Sequence, residues 1–287
     1  MGALRDRMEA DLKLLGRAEN TQRCYLRCAG QFAKHYDRPP GKMGEREIKD
    51  YLLHLIDEKE VSPATHYMHV ASLRFLYGVT LRRPELAARV PFPKVPLRLP
   101  EILAGTEVLR LISCVTSIKC RTIAAGAYGA GLRVDEGCRL RPEDIDSGRG
   151  LIHVRQGKGR KDREVMLGQE LLSRLREYWR VVRPQGEWLF PSPTVPGNHL
   201  NVRTVRGALH KAAQAARIKK RVTPHLLRHS FATHLLEMGY SVEVIQVLLG
   251  HASATTTRRY TRMRAEFLRQ IKSPLDVAGT PEGEALR

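Results

Sequence analysis

The sequence predicts a mainly α fold with one small β-hairpin, divided into two lobes. Apolar residues recur at helical spacing over most of the chain. Four prolines between residues 91 and 100 interrupt that pattern, and two short strand-like runs flank a glycine-rich charged segment. With 287 residues, 42% of them hydrophobic and 28% charged, there is enough apolar matter for two cores. No run approaches the roughly 20 apolar residues of a membrane span. Residues 1–20 mix charges without the apolar centre of a signal peptide, so no membrane association and a cytoplasmic location are expected. Five cysteines without a C-x-x-C pair read as free thiols of a reducing compartment.

Taken in order, residues 1–90 read as a small basic helical domain of four helices. Their apolar positions include Leu12, Leu14 and Leu15; Tyr25, Phe32 and Tyr36; Ile48, Leu52, Leu53 and Ile56; Leu73, Leu76 and Tyr77. Asn20-Thr21 and Ser62-Pro63 supply helix starts. Residues 91–100 form an extended linker, because proline fixes φ and lacks a donor. A second lobe spans residues 101–272. It is expected to hold helices at 106–114, 120–128, 170–182, 202–216, 224–237 and 242–249 and around Tyr260, with strands at 151–154 and 164–167. Residues 273–287, containing Gly, Pro and Glu, read as a flexible tail.

Charge is the first functional signal. The 49 basic and 30 acidic residues leave a net charge of +19, with +6 over residues 1–100 and +13 over residues 101–287. An excess spread over two folded lobes fits a protein that lies along phosphates and displaces their counterions. Aromatic residues make up only 6%, which argues against base stacking and favours duplex over single strands. Two basic lobes joined by a strap suit a clamp around a rod.

The chemistry-bearing residues narrow this further. Gly157-Lys158-Gly159 lacks the spacing of a nucleotide-binding P-loop. His225, His229 and His234 stand four and five apart, but Arg228 lies among them and H-E-x-x-H is absent, so no metal site is expected. A helix, Gly239 and a second helix from Ser241 resemble a helix-turn-helix, which keeps a non-catalytic DNA-binding regulator as an alternative. Arg133 follows an apolar helix and a glycine pair, with Glu136 one turn on, where it can hold the guanidinium or form an ordinary surface pair. His225 and Arg228 sit side by side near a helix N-terminus, where cations oppose the helix dipole unless an anion lies between them.

The motifs Gly131-Leu132-Arg133-Val134-Asp135-Glu136, the run from Gly157 to Arg163, the run from His225 to His234, and Leu249-Gly250-His251 followed by Tyr260 together resemble the tyrosine recombinases. These are the phage integrases and Xer-type site-specific recombinases. Residues 1–90 are similar to the family's helical, SAM-like core-binding domain, and residues 101–272 to its catalytic domain. The stretch from Tyr128 to Leu140 is worded most like integron-type integrases, but the span from Phe190 to Thr223 leaves no space for that subgroup's insert.

The resemblance implies a reaction that needs neither metal nor ATP nor any other cofactor. Tyr260 would be the nucleophile and form a 3′-phosphotyrosyl ester. Arg133, Arg228 and His251 would stabilise the phosphorane charge, His225 would accept the phenolic proton, and Lys158 would protonate the departing 5′-oxygen, with Lys161 as the fallback; Glu136 would support Arg133. The implied partners are double-stranded DNA bearing a specific recombination site and three further copies of the chain in a tetramer, placing the protein on the nucleoid when bound. Residues 264–272 would dock on a neighbouring copy or pack on their own lobe. A type IB topoisomerase-like enzyme shares this chemistry and stands as a further alternative.

Overall fold

The computed structural model of the chain describes residues 2–94, 101–155, 162–250, 268 and 270–281. It divides into two compact units, residues 1–99 and 100–287.

The first unit is helical. Helices α1 (Gly2–Leu14), α2 (Glu19–Tyr36), α3 (Glu45–Asp57) and α4 (Pro63–Phe75) continue through a π-helical turn, Leu76–Thr80, to the short α5 (Pro84–Ala88). Ser62 caps α4 by accepting from Thr65 N at 3.2 Å, with Pro63 in the first turn, as its sequence dictates. The core centres on Phe32, whose ring meets the edges of Tyr36, Tyr51 and Tyr77. Met8, Leu12, Ile48 and Leu73 close around it. Leu14, Leu15, Leu53 and Ile56, read as part of the apolar pattern, are exposed instead. In α3 the buried stripe runs through Ile48, Tyr51, Leu52 and Leu55, which turns Leu53 and Ile56 outward. At the end of this unit Arg74 donates to the carbonyls of Ala87 and Val90, and its guanidinium lies 4.8 Å from the ring of Phe92. Of the expected linker, residues 95–100 lie outside the described residues.

The second unit is built around α7 (Ile118–Gly129), which is buried throughout from Thr122 onward. Before it runs α6 (Gly105–Ser113) and after it α8 (Val134–Cys138). A three-stranded antiparallel sheet follows: β1 (Ile145–Asp146), β2 (Leu151–Val154) and β3 (Arg163–Met166), with Val154 paired to Arg163. The hairpin was legible; β1, only two residues long, was not. Helices α9 (Gln169–Val182), α10 (Val202–Ala215), α11 (Pro224–Glu237) and α12 (Val242–Leu249) complete the shell, with α9, α10 and α11 packed on α7.

One expectation is overturned. The segment from residue 273, read as a flexible tail, is packed: Ser273 caps α13 (Pro274–Val277), and Leu275 and Ala278 are buried. Ser273 Oγ donates to Gly129 O at 2.7 Å, and Asp276 accepts from Gln169 N and Glu170 N, capping α9. Gly168 leaves no space for a side chain against Ser273 and Asp276, which explains the close fit. The glycine, proline and glutamate that suggested looseness lie mostly beyond this helix; residues 282–287 are outside the described residues.

Candidate active site

Local sequence chemistry places four of the expected site residues. Helix α7 ends at Gly129, and Gly131 turns the chain at φ 62°, a conformation natural to glycine. That turn delivers Arg133 to the N-cap of α8. There Glu136 Oε2 accepts from Arg133 N at 2.8 Å, closing a capping box, while Glu136 Oε1 accepts from Arg133 Nη1 at 2.6 Å. Helix α11 starts where the sequence says it should: Thr223 Oγ1 accepts from Leu226 N at 3.1 Å and Pro224 occupies the first turn. His225 therefore lies in that first turn, with Arg228 one turn further.

Arg228 is buried, at 7% exposure. Its Nη1 donates to Gly131 O and its Nη2 to Leu249 O, and Nη1 stands 3.7 Å from Glu136 Oε2. Arg133 and Arg228 thus approach one carboxylate from α8 and α11. A third guanidinium also reaches it: Arg163 donates from Nη1 and Nη2 to the two oxygens of Glu136 at 2.8 and 2.7 Å. Burial alone would raise the Glu136 carboxyl, but hydrogen bonds and charge from Arg163, followed by those from Arg133, hold its pKa at about 2. Burial first, then the neighbouring Arg133, lowers Arg228 to about 9, so it remains cationic at neutral pH. Burial, with Arg206, Arg228 and Arg133 nearby, also lowers the pKa of His225, leaving a neutral imidazole at pH 7.

Of these groups, His225 and Arg228 border an open cleft of about 530 Å³, whose polar lining also includes Arg221, Thr223, His229 and Glu101. Formally, three guanidinia and one carboxylate leave two positive charges beside a neutral base. That arrangement suits an anionic ester more than a metal cation. His234 does not join it; its Nδ1 lies 2.7 Å from the Tyr128 hydroxyl inside the core. The histidine trio therefore does not share one site. Lys158, Lys161, His251 and Tyr260, the other expected site residues, lie outside the described residues.

Sequence reasoning missed Arg163, Arg206 and Arg221. Arg163 is one of four cations in the run from Lys158 to Arg163, and its only distinguishing signal is its position as the first residue of β3. A second basic groove, of about 400 Å³, lies in the first unit between α1 and α2 and is lined by Arg5, Arg23 and Arg27.

Gly131 tests the geometry directly. A Cβ there would stand 2.5 Å from the Phe231 ring, on a backbone with positive φ. Gly131→Ala is expected to cost about 2–3 kcal/mol. Both tryptophans, Trp179 and Trp188, belong to the second unit, so urea unfolding followed by their fluorescence reads that unit alone. An unchanged midpoint would contradict the packing described.

The helix-turn-helix alternative fares poorly. Residues Val242–Leu249 of α12 contain one acidic and no basic residue, and Val244, Ile245, Leu248 and Leu249 are buried, so this helix has no cationic face for phosphates. Among the described residues, no helix is long and apolar enough to cross a membrane.

A helical unit followed by a mixed helical unit with two guanidinia converging on a buried carboxylate agrees with the fold expected of a tyrosine recombinase, the class of enzyme that cleaves and rejoins DNA, and the family match shows that class. The chain belongs to the phage integrase family: residues 101–266 match that family's model, and residues 4–85 match the phage integrase N-terminal SAM-like domain. An integrase/recombinase of Sinorhizobium fredii is 43% identical over 282 residues, covering 98% of this chain and 91% of the relative. Tyrosine recombinase XerA of Pyrococcus furiosus is 37% identical over 262 residues, covering 90% and 89%. In fold, the chain is similar to a lambda integrase dimer bound to a COC′ core site, with a TM-score of 0.70 at 23% identity and coverage of 92% of this chain and 96% of that one.

Proposed function

We propose that this recombinase cleaves one strand of a specific duplex site through Tyr260 and rejoins it to a partner strand, with Arg133, Arg228 and His225 as its described catalytic groups. The observation that carries this is the convergence of two guanidinia on Glu136 beside a neutral imidazole. A phosphodiester under attack gains negative charge on its non-bridging oxygens, and planar cationic forks stabilise that charge. A phenol with an ordinary pKa near 10 is almost wholly protonated at pH 7, so its attack needs an acceptor, which His225 supplies.

The atoms balance without a cofactor. The Tyr260 oxygen bonds to phosphorus, its proton passes to His225, and the bond from phosphorus to the 5′-oxygen breaks. That oxygen takes a proton from Lys158, or from Lys161 in its stead, while His251 adds a further donor to the phosphorane. The 3′-phosphotyrosyl ester keeps the energy of the broken bond, and a partner strand's 5′-hydroxyl reverses each step. Four copies on two synapsed duplexes complete an exchange. The arginines of the groove between α1 and α2, with Arg203 and Arg206 on α10, provide phosphate contacts outside the cleavage site.

The test is covalent capture. Wild-type protein is mixed with duplexes carrying randomised cores, the mixture is denatured, and DNA remaining on the protein is recovered and sequenced. Wild type is expected to yield an adduct on one recurring core, and Tyr260→Phe to retain binding while losing the adduct altogether. An adduct that survives in Tyr260→Phe excludes this nucleophile. Supercoil relaxation without joining of two duplexes carrying the recovered core would favour the topoisomerase-like alternative.

A further inference from the structure

One guanidinium outside the expected catalytic set stands at the centre of the described site. Arg163 opens β3, opposite Val154. Its side chain is 11% exposed. All of its nitrogens are engaged by protein: Nη1 and Nη2 form a fork on Glu136, and Nε donates to Leu248 O at 3.1 Å near the end of α12. The fit around its stem is close. Gly250 caps α12 at φ 61°, and a Cβ there would stand 2.8 Å from Arg163 Cδ.

We propose that Arg163 is the positioning residue of the recombinase site, locking the β-hairpin, α8 and the end of α12 to one another through Glu136. This rests on the functional reading above. In sequence, the strand it opens directly follows the run containing Lys158 and Lys161, and the carbonyl it binds lies three residues before His251. One guanidinium therefore joins the three chain segments that contribute Arg133, the candidate proton donors and His251. A lysine cannot do this, because a single ammonium lacks the planar fork that spans two carboxylate oxygens and a carbonyl at fixed angles.

The charge arithmetic gives Arg163 a second effect. Glu136 faces Arg133, Arg163 and Arg228. With the bidentate fork of Arg163 in place, most of the carboxylate's charge is compensated from the hairpin side. Arg133 and Arg228 then keep their positive charge for the ester. Without Arg163, the Glu136 charge would be shared by Arg133, already 2.6 Å away, and Arg228, now 3.7 Å away, alone, and the cluster's formal charge would fall from +2 to +1.

The experiment uses the full chain and the duplex recovered by covalent capture. Single-turnover cleavage at saturating protein, duplex affinity and tryptophan-monitored unfolding are measured for wild type, Arg163→Gln, Arg163→Lys, Glu136→Gln and the Glu136→Gln/Arg163→Gln double variant. Arg163→Gln is expected to cleave about 10–100-fold more slowly with affinity within about twofold of wild type. Arg163→Lys is expected to recover stability but less than about a tenth of the wild-type rate. The double variant is expected to lose no more rate than Glu136→Gln alone, since both changes remove one interaction.

Cleavage by Arg163→Gln within about threefold of wild type, or rate losses that multiply in the double variant, overturns the proposal. Should Arg163→Gln fail to fold, a folded Arg163→Lys cleaving at the wild-type rate overturns it instead. If wild type itself forms no adduct, the recombinase reading falls; an adduct formed equally by wild type and Arg163→Gln removes only the role of Arg163.

Discussion

Arg228→Ala is expected to lower cleavage by about 10³-fold while leaving duplex binding largely intact, and to destabilise the second unit by about 2–5 kcal/mol. Both effects trace to one guanidinium. Its Nη1 and Nη2 hold the carbonyls of Gly131 and Leu249, the first in the turn that delivers Arg133 and the second in the segment that leads to His251. Removing it leaves two inward-facing acceptors without their donor, and each such loss costs about 1–3 kcal/mol. The carbonyls do not exhaust it, because a guanidinium has five N–H donors, and in the proposed mechanism the remaining ones are those available to the ester oxygens. Arg228→Lys separates the two effects. A lysine keeps the charge and one carbonyl contact, so part of the stability returns, but without a fork the cleavage defect remains. The measurement is single-turnover adduct formation alongside urea unfolding. If Arg228→Ala cleaves within about tenfold of wild type, the guanidinium does not face the scissile phosphate and serves the fold alone.

What the sequence disclosed, and what it hid, follows the range of the forces involved. Helix starts such as Ser62-Pro63 and Thr223-Pro224 were legible because capping is settled within four residues. The strands of the hairpin were placed to within one residue for the same reason. Arg133, Glu136, His225 and Arg228 were legible as candidates through motif order. Of the two readings open for Arg133 and Glu136, a held guanidinium or a surface pair, the surface pair does not fit, because Glu136 is buried and shared by three guanidinia. Arg163 was not distinguishable from Arg160 or Lys161 beside it, because only strand register and the approach of α12 select it. The packing of α13 was hidden by composition: Leu275 gains its burial from Gly129, a residue more than a hundred positions away. Long-range contacts of that kind leave no local pattern to read.

Glu136→Gln tests the hub from the acid side. The carboxyl has a folded pKa of about 2 against an ordinary value of 4.5. The unfolded chain therefore binds the proton more readily than the folded one. Its contribution to stability is fully present above about pH 4.5 and disappears as the pH falls toward 2. At about 1.4 kcal/mol for each pH unit between the two values, that contribution is about 3 kcal/mol. Glutamine keeps the shape and one acceptor, but leaves Arg133, Arg163 and Arg228 beside one another without a counter-charge, so at pH 7 the variant is expected to be about 3–5 kcal/mol less stable. The gap between the two proteins should then narrow steadily below pH 4.5, since protonation turns the wild-type carboxylate into a neutral group much like the amide. Urea unfolding of the second unit, followed by tryptophan fluorescence from pH 7 to pH 3, reads this directly. Parallel stability curves across that range would mean that the Glu136 charge is not what holds the three arginines together, and the site would need another source for its geometry.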